Sequence, residues 1–345
     1  MLKPFIAKAM RGQDLTAEEA EQAMEIIMTG QATDAQIGGY LVALCMKGES
    51  VAEITGSARA MRAHASRVPV RPDGHALLDI VGTGGDGAHT FNISTTAAFV
   101  IAGAGRRVAK HGNRAASSRC GAADVLNALG VNLDLSPDLV AECVHQVGIG
   151  FIFAPRFHPA MKYAIGPRRE LGHRTIFNLL GPLTNPAGAT HSLIGVYDRD
   201  LTHTLAEVLG SLGGKAAFVV NGHGGLDELT TAGPNRVSHL KDGAVHTYEL
   251  DPRELDLRAS TGEDLKGGDP AQNAGMLRAL LSGQDQSVRK DVVLLNSAAA
   301  LATETGDLPG ALAEARQSLE SGAALDKLEQ LVAVSQRLAR GAAAG

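Results

Sequence analysis

Between Asp86 and Asp124 the chain carries no aspartate or glutamate, although these two types fill 37 of its 345 positions. The same stretch carries Arg106, Arg107, Lys110, Arg114 and Arg119. Many donors without carboxylates suit a strongly anionic small molecule, one with more than one phosphate. Other absences narrow the class. Three cysteines, Cys45, Cys120 and Cys143, show no C-x-x-C spacing. They point to reduced thiols in the cytoplasm, not to a disulfide framework or a zinc site. No apolar run is long enough to span a bilayer. The opening Met1-Leu-Lys-Pro-Phe-Ile-Ala-Lys8 lacks the apolar core of a secretory signal. A net charge of −5 weighs against nucleic acid as the main partner. No internal repeat is present, and the only low-complexity segment is the trailing Gly-Ala-Ala-Ala-Gly.

What is present is a glycine-rich globular chain. Its length suits one large domain or two unequal ones. Its 41 glycines suggest many tight βα turns and backbone-lined sites. The first 67 residues read as helices only. Thr16-Ala-Glu-Glu19 is a capping box before an amphipathic run over Ala20–Met28 that Gly30 ends. Thr33-Asp-Ala-Gln36 opens a second helix through Leu44, and Ser50-Val-Ala-Glu53 a third through about Ala65. Val68-Pro-Val-Arg-Pro-Asp-Gly74 is a linker.

Beyond the linker the pattern changes to short strands alternating with helices. Strands are expected at Ala76–Val81, Arg107–Ala109, Val147–Phe153, Ser192–Tyr197 and Ala216–Asn221. Helices are expected at Thr95–Ala102, Ala122–Leu129 and His203–Leu212, with a mostly helical end from about Asn273. This order argues for an α/β protein whose mainly parallel sheet is covered on both faces.

Gly82-Thr-Gly-Gly-Asp-Gly87 follows the first strand. It matches the dinucleotide pattern G-x-G-x-x-G, which is weak alone, because glycine-rich βα turns are common without ligands. The acid expected about 20 residues later falls in the acid-free run, near Arg106 and Arg107, which an NADP reading could use. The P-loop pattern G-x-x-x-x-G-K-[ST] is missing. Asn92-Ile93-Ser94-Thr95 then stands at the start of an apolar helix. It serves either as a simple N-cap by Asn92 or Ser94 or as an anion site, and the two can coexist.

Lys110-His111-Gly112-Asn113-Arg114-Ala115-Ala116-Ser117-Ser118 forms a second loop at a strand's carboxyl end, where open α/β sheets bind ligands. Lys110 offers a point charge, Gly112 close backbone approach, and Ser117 and Ser118 hydroxyls. Each residue taken singly is more often a solvated loop residue; the clustering carries the reading. Asp227-Glu228 reads either as an acidic helix start or as a metal pair. Adjacent carboxylates on extended backbone point apart and could reach two ions, as Mg²⁺ sites completed by phosphate allow. Arg168 is either a surface charge or a fork for a planar carboxylate. His111, His158, His173 and His223 are too scattered to define a metal site.

Four ordered motifs, Asp79-Ile-Val-Gly-Thr-Gly-Gly-Asp86, Asn92-Ile-Ser-Thr95, Lys110-His-Gly-Asn-Arg114 and Thr175-Ile-Phe-Asn-Leu-Leu-Gly-Pro-Leu-Thr-Asn-Pro186, resemble the anthranilate phosphoribosyltransferase family over nearly the whole chain. The resemblance implies transfer of phosphoribosyl from 5-phosphoribosyl 1-diphosphate to the amine of anthranilate in tryptophan biosynthesis, with one or two Mg²⁺ ions. It implies a small helical domain, 1–71, joined by part of 165–190, and a catalytic α/β domain, 72–345, with the site in the cleft between. It also implies a cytoplasmic homodimer through the helical domain. By position, Gly82, Gly85, Asp86, Thr90, Asn92, Ile93, Ser94 and Thr95 would hold the phosphoribosyl diphosphate. So would Lys110 through Ser118 and the backbone of Ala122. Ser94, Asp227 and Glu228 match the metal positions; Gly82, Asn113 and Arg168 match the anthranilate positions. Lys110, His111 and Arg168 would act in catalysis, His111 or a water taking the proton late. Ala115, Ala116, Cys120 and Ala122 stand where relatives often have Ser, Val, Ser and Ser. The absence of tryptophan suits such an enzyme.

Two rivals stand beside this reading. A pyrimidine-nucleoside-phosphorylase-like pentosyltransferase would use inorganic phosphate in place of two metals, so Asp227-Glu228 weighs against it. A nucleic-acid-binding paralogue would have degraded motifs, whereas these are intact.

Overall fold

A computed structural model describes residues 1–71, 74–115 and 118–344. The linker residues Pro72 and Asp73, the domain boundary set between them and Arg71, and Ala116 and Ser117 of the second loop lie at or outside those limits. Four helices open the chain: α1 (Lys3–Met10), α2 (Ala17–Met28), α3 (Asp34–Lys47) and α4 (Val51–Ala63). The three expected capping boxes form at Thr16/Glu19, Thr33/Gln36 and Ser50/Glu53. Each is worth roughly 1 kcal/mol. Glu53 does more than cap. Fully buried, it also accepts the Leu15 N–H at 2.9 Å and the Lys47 ammonium at 2.9 Å, so it ties three segments of the bundle.

The rest of the chain runs β1 (Leu77–Gly82), α5 (Ile93–Gly103), β2 (Arg107–Gly112), α6 (Ala122–Ala128), α7 (Pro137–Val147), β3 (Ile149–Phe153), α8 (Ala154–Phe157), α9 (Lys162–Leu171), α10 (Ile176–Leu183), β4 (His191–Gly195), α11 (Leu201–Ser211), β5 (Ala216–Asn221), β6 (Asn235–Lys241), β7 (Ala244–Leu250), α12 (Pro270–Leu281), α13 (Val288–Leu301), α14 (Leu308–Glu320) and α15 (Ala323–Ala344). One sheet takes the strands in the order β3-β2-β1-β4-β5-β6-β7. The first five are parallel; β6 and β7 add antiparallel. The expected mainly parallel α/β sheet is therefore present. Its order reverses between β1 and β4, the point where such sheets open a crevice at the strands' carboxyl ends.

Period-2 alternation sends neighbouring residues to opposite cores. Leu193, Phe218 and Val220 face a cluster with α5, α13 and α15; Ile194, Ala217 and Val219 face one with α11 and the opening helices. Helix α5 is buried around almost its whole circumference, as an all-apolar helix must be. Helices α9 and α10 pack on α2, α3 and α4, and Ala164, Ile176, Phe177 and Leu180 share the core of the opening helices.

Three expectations need correction. Val147 ends α7 and does not begin a strand; its apolar run reads the same in either state, and Gly148 at φ 92 makes the break. β2 continues through Gly112, so Lys110 and His111 are strand residues, not loop residues. The antiparallel pair β6–β7 was not foreseen. It closes at Asp242 and Gly243, both with positive φ (51 and 76), as a two-residue hairpin turn demands.

Candidate functional site

The site lies at the reversal of strand order. Gly82 ends β1 and pairs with Gly195, which ends β4. A Cβ on Gly82 would fall 2.2 Å from Asp227 Oδ2, and one on Gly195 1.6 Å from the Asp227 carbonyl oxygen. The two glycines leave the slot that Asp227 fills. The segment after β5 is folded back by Gly222 N–H on the Leu226 carbonyl (2.8 Å), and a Cβ on Gly222 would strike the Glu228 carbonyl at 2.1 Å. Asp227-Glu228 is thus brought in on a bend that follows this bridge. The acidic-helix-start reading fails, because no helix begins there.

The two carboxylates point to different partners. Asp227 Oδ2 accepts the Gly84 N–H at 2.6 Å. Glu228 Oε1 accepts the Ser94 N–H at 3.1 Å, at the amino end of α5, where the helix dipole favours an anion. Asp86 joins them, accepting the Asp227 N–H at 3.4 Å. Burial, then the neighbouring carboxylates, hold Asp227 well above its ordinary range. Burial pushes Glu228 up to about 7 against the pull of Lys110. Two half-buried acids that resist ionising are short of positive charge. Together with the Ser94 hydroxyl they fit a hard cation whose remaining ligands are water and phosphate. Among the described residues no cluster of three His, Cys, Asp or Glu side chains forms a metal cage.

Lys110 is buried inside β2, and its Nζ donates to the Ile80 carbonyl (2.6 Å) and Ser94 Oγ (3.4 Å). Burial lowers its pKa, while Asp79, Glu228 and Asp227 act in the opposite sense. Lys110, read from sequence as a loop point charge for phosphate, is an interior strand residue and the counter-charge of these acids. Asp79 receives the His111 N–H (3.1 Å) and the Asn185 amide (2.8 Å), and burial raises it to about 6.

Neither Asn92 nor Ser94 caps α5 with its side chain. The Asn92 amide bonds the Cys120 carbonyl and receives Asn273 Nδ2, which leaves the helix end to Glu228 and to a ligand. Ile93 is buried in the core. Thr95 Oγ1 is buried there without a partner among the described residues. Gly85 has φ +77, and Thr90 bridges to Lys266.

The second loop is partly occupied. Asp124, which ends the acid-free run, takes Arg114 Nη1 (2.8 Å) and the N–H groups of Ala115 (2.9 Å) and Gly121 (3.0 Å). Asn113 Oδ1 accepts the Arg114 N–H at 2.7 Å. Arg106 pairs with Glu314 at 3.0 Å. Arg114 and Arg106 are therefore each paired with an acid that lies outside the interior of the run. Ser118 is exposed, and Ala122 begins α6.

His111 is buried beside His158, ring centroids 5.1 Å apart. Burial lowers the two imidazoles to about 3 and about 4, and each keeps a buried Nε2 with no partner among the described residues. His158 was not picked out as a site residue; only its spacing from β3 could have signalled it. Arg168, on α9, stacks over Phe177 at 5.0 Å. Burial lowers its pKa.

Similarity to known proteins agrees with this geometry. Residues 74–325 match the glycosyl transferase family a/b domain, and residues 3–65 its helical bundle domain. Anthranilate phosphoribosyltransferase of Moorella thermoacetica is 56% identical over 335 residues, 96% of this chain and 98% of its own. The crystal structure of the Thermus thermophilus enzyme superposes with TM-score 0.90 at 46% identity, covering 96% of this chain and 99% of that one. The Saccharomyces cerevisiae enzyme in complex with PRPP and Mg superposes with TM-score 0.88 at 29% identity, covering 98% of each chain.

Proposed function

We infer the roles of single residues from one premise: the chain belongs to the anthranilate phosphoribosyltransferase family of glycosyl transferases. It transfers the phosphoribosyl group of 5-phosphoribosyl 1-diphosphate to the amine of anthranilate, releasing N-(5-phosphoribosyl)anthranilate and diphosphate, in tryptophan biosynthesis. The yeast relative carries PRPP and Mg, and magnesium serves the reaction here too.

Displacement at the anomeric carbon builds positive charge on the ribose ring and negative charge on the leaving diphosphate. Catalysis then rests on stabilising that leaving group and aiming the amine. The observation that carries our assignment is the Gly82–Gly195 slot, which brings Asp227 and Glu228 to the glycine loop and the amino end of α5. Gly82, Gly85, Asp86, Thr90, Asn92 to Thr95, Lys110 to Ser118 and Ala122 surround the donor substrate. Ser94, Asp227 and Glu228 hold one or two Mg²⁺, which screen the diphosphate charge. Gly82, Asn113 and Arg168 receive anthranilate, Arg168 gripping its carboxylate. His111 is too weak a base to remove a proton outright. The amine is already neutral at pH 7, so its N–H proton leaves only late, once the new C–N bond has made the nitrogen cationic and acidic, to the His111 Nε2 or to a water.

We place the helical domain at 1–71 with part of 165–190. The packing of α9 and α10 on α2, α3 and α4 supports that division. The helical elements also carry the exposed Met10, Val42, Met46 and Ile165, which suits a homodimer through this domain; light scattering reads the mass. Unpaired thiols at Cys45, Cys120 and Cys143 suit the cytoplasm.

Anthranilate is fluorescent, so its loss on adding PRPP and Mg²⁺ follows the reaction directly. Asp227→Asn and Glu228→Gln should each need far more Mg²⁺ for half-activity. Unchanged metal dependence would count against both as ligands.

A further inference from the structure

Arg174 lies in the short segment between α9 and α10, and its backbone belongs with the helical bundle. Both flanking helices pack on the bundle, and the Arg174 carbonyl accepts the thiol of Cys45 on α3 at 3.7 Å. Its guanidinium reaches the other body. Nη2 donates to the Gly85 carbonyl, and the group lies 3.8 Å over the ring of Tyr197. Gly85 follows β1 and Tyr197 follows β4, so one side chain grips both strand ends flanking the switch point.

The gripped loop is the one that meets Asp227. Gly84, next to Gly85, donates to the Asp227 carboxylate at 2.6 Å. Thr83 is tied to the same edge: its N–H bonds the Gly195 carbonyl at 2.9 Å, and its hydroxyl accepts the Tyr197 N–H at 3.3 Å. Gly85 stands at φ +77, and a Cβ there would lie 3.4 Å from Arg174 Nε. A bulkier residue would therefore press on the guanidinium. Arg174 and Tyr197 also line a cavity of about 470 Å³ with Arg199, His223 and Arg236.

We propose that Arg174 is a positioning residue for the known reaction: a clasp through which the helical bundle sets the conformation of the glycine loop, and so the place of Asp227. It rests on the reading that this loop and Asp227 serve the diphosphate and its cation. Only a planar, delocalised cation can stack on a ring and donate sideways at once; a lysine ammonium cannot reproduce both contacts.

The test uses Arg174→Ala, Arg174→Lys and Tyr197→Leu in the full-length protein. Steady-state KM for each substrate and the Mg²⁺ half-saturation are measured beside hydrogen exchange of the amides of residues 83–87 without substrate. Losing one charge-assisted hydrogen bond and one cation–π contact should raise the PRPP KM and the Mg²⁺ half-saturation about tenfold in Arg174→Ala, with the anthranilate KM within about twofold. Exchange at 83–87 should quicken about tenfold while the amides of α3 and α4 hold. Arg174→Lys should recover only part of the effect, and Tyr197→Leu should show a weaker form of it. If Arg174→Ala does not fold, Tyr197→Leu decides by the same readings. Unchanged exchange at 83–87, or equal rises in both KM values with faster exchange along the whole chain, overturns the clasp. The exchange arm needs no turnover, so a failure of the assigned diphosphate site would show separately, as wild-type protein whose PRPP binding is indifferent to Asp227→Asn.

Discussion

Asn185 donates its side-chain amide to the Asp79 carboxylate at 2.8 Å, across 106 residues of chain. The same amide reaches the Ala109 carbonyl at 2.8 Å. The first and last of the four sequence motifs therefore meet beneath the site, and the Asp79–Asn185 pair ties the strands together there.

Asn185→Ala should destabilise the fold without touching the chemistry. It strips a donor from a fully buried acid, which costs about 1.5–3 kcal/mol for a bond to a charged group. Denaturant unfolding should show that loss, with the KM values little moved. A loss under about 0.5 kcal/mol would mean another group replaces the amide.

Gly82→Ala should act on the site directly. The new methyl would overlap Asp227 Oδ2, and a displacement of about 1 Å commonly costs on the order of 10²-fold in rate. The expected signature is a fall of that order in kcat/KM with a raised Mg²⁺ requirement, while the melting temperature moves less than in Asn185→Ala.

Removing Glu228 should reshape stability against pH. Its folded pKa, about 7, stands above the unfolded 4.5. In that window the folded protein binds the extra proton, so stability is full below pH 4.5 and is lost as pH rises through 7. His111 and His158, held neutral by burial, slope the other way on the acid side. The comparison with Glu228→Gln isolates the carboxylate. Without divalent metal, the variant should gain on wild type between about pH 4.5 and pH 7. Adding Mg²⁺ at pH 8 should favour wild type, and parallel curves would refute the assignment.

Arg168→Ala should raise the KM for anthranilate about tenfold or more while leaving that for PRPP within about twofold, as loss of a charge-assisted grip on a carboxylate implies. Initial rates at fixed PRPP read this from the fluorescence decay. Equal effects on both substrates would remove Arg168 from the acceptor side.

Much of the fold is legible in the sequence because its signals are local. The caps at Thr16, Thr33 and Ser50 name their own helices. The runs at 77–82 and 216–221 are short, apolar and bounded by glycine loops. The β6–β7 hairpin has a local signal too, Asp242-Gly243 between strand-like runs. What stays hidden depends on partners far along the chain. Nothing near Lys110 says that it will be enclosed among Asp79, Asp227 and Glu228. Nothing near Arg106 says that Glu314 will take its charge. The orphan nitrogen of His158 exists only because burial brings it to His111. Long-range burial reassigns roles that composition and spacing cannot see.

The slot between Gly82 and Gly195 has a consequence for how far the site can be tuned. Asp227 is held in place by missing side chains, and no residue is intermediate in size between glycine and alanine. Position there is all or nothing, so successive small substitutions cannot slide the carboxylate. Asp86 and Glu228 reach the same region on rotatable side chains and can be lengthened, shortened or neutralised by one step at a time. A change in cation preference would start from those two acids, with Asp227 as the fixed origin from which the others are measured.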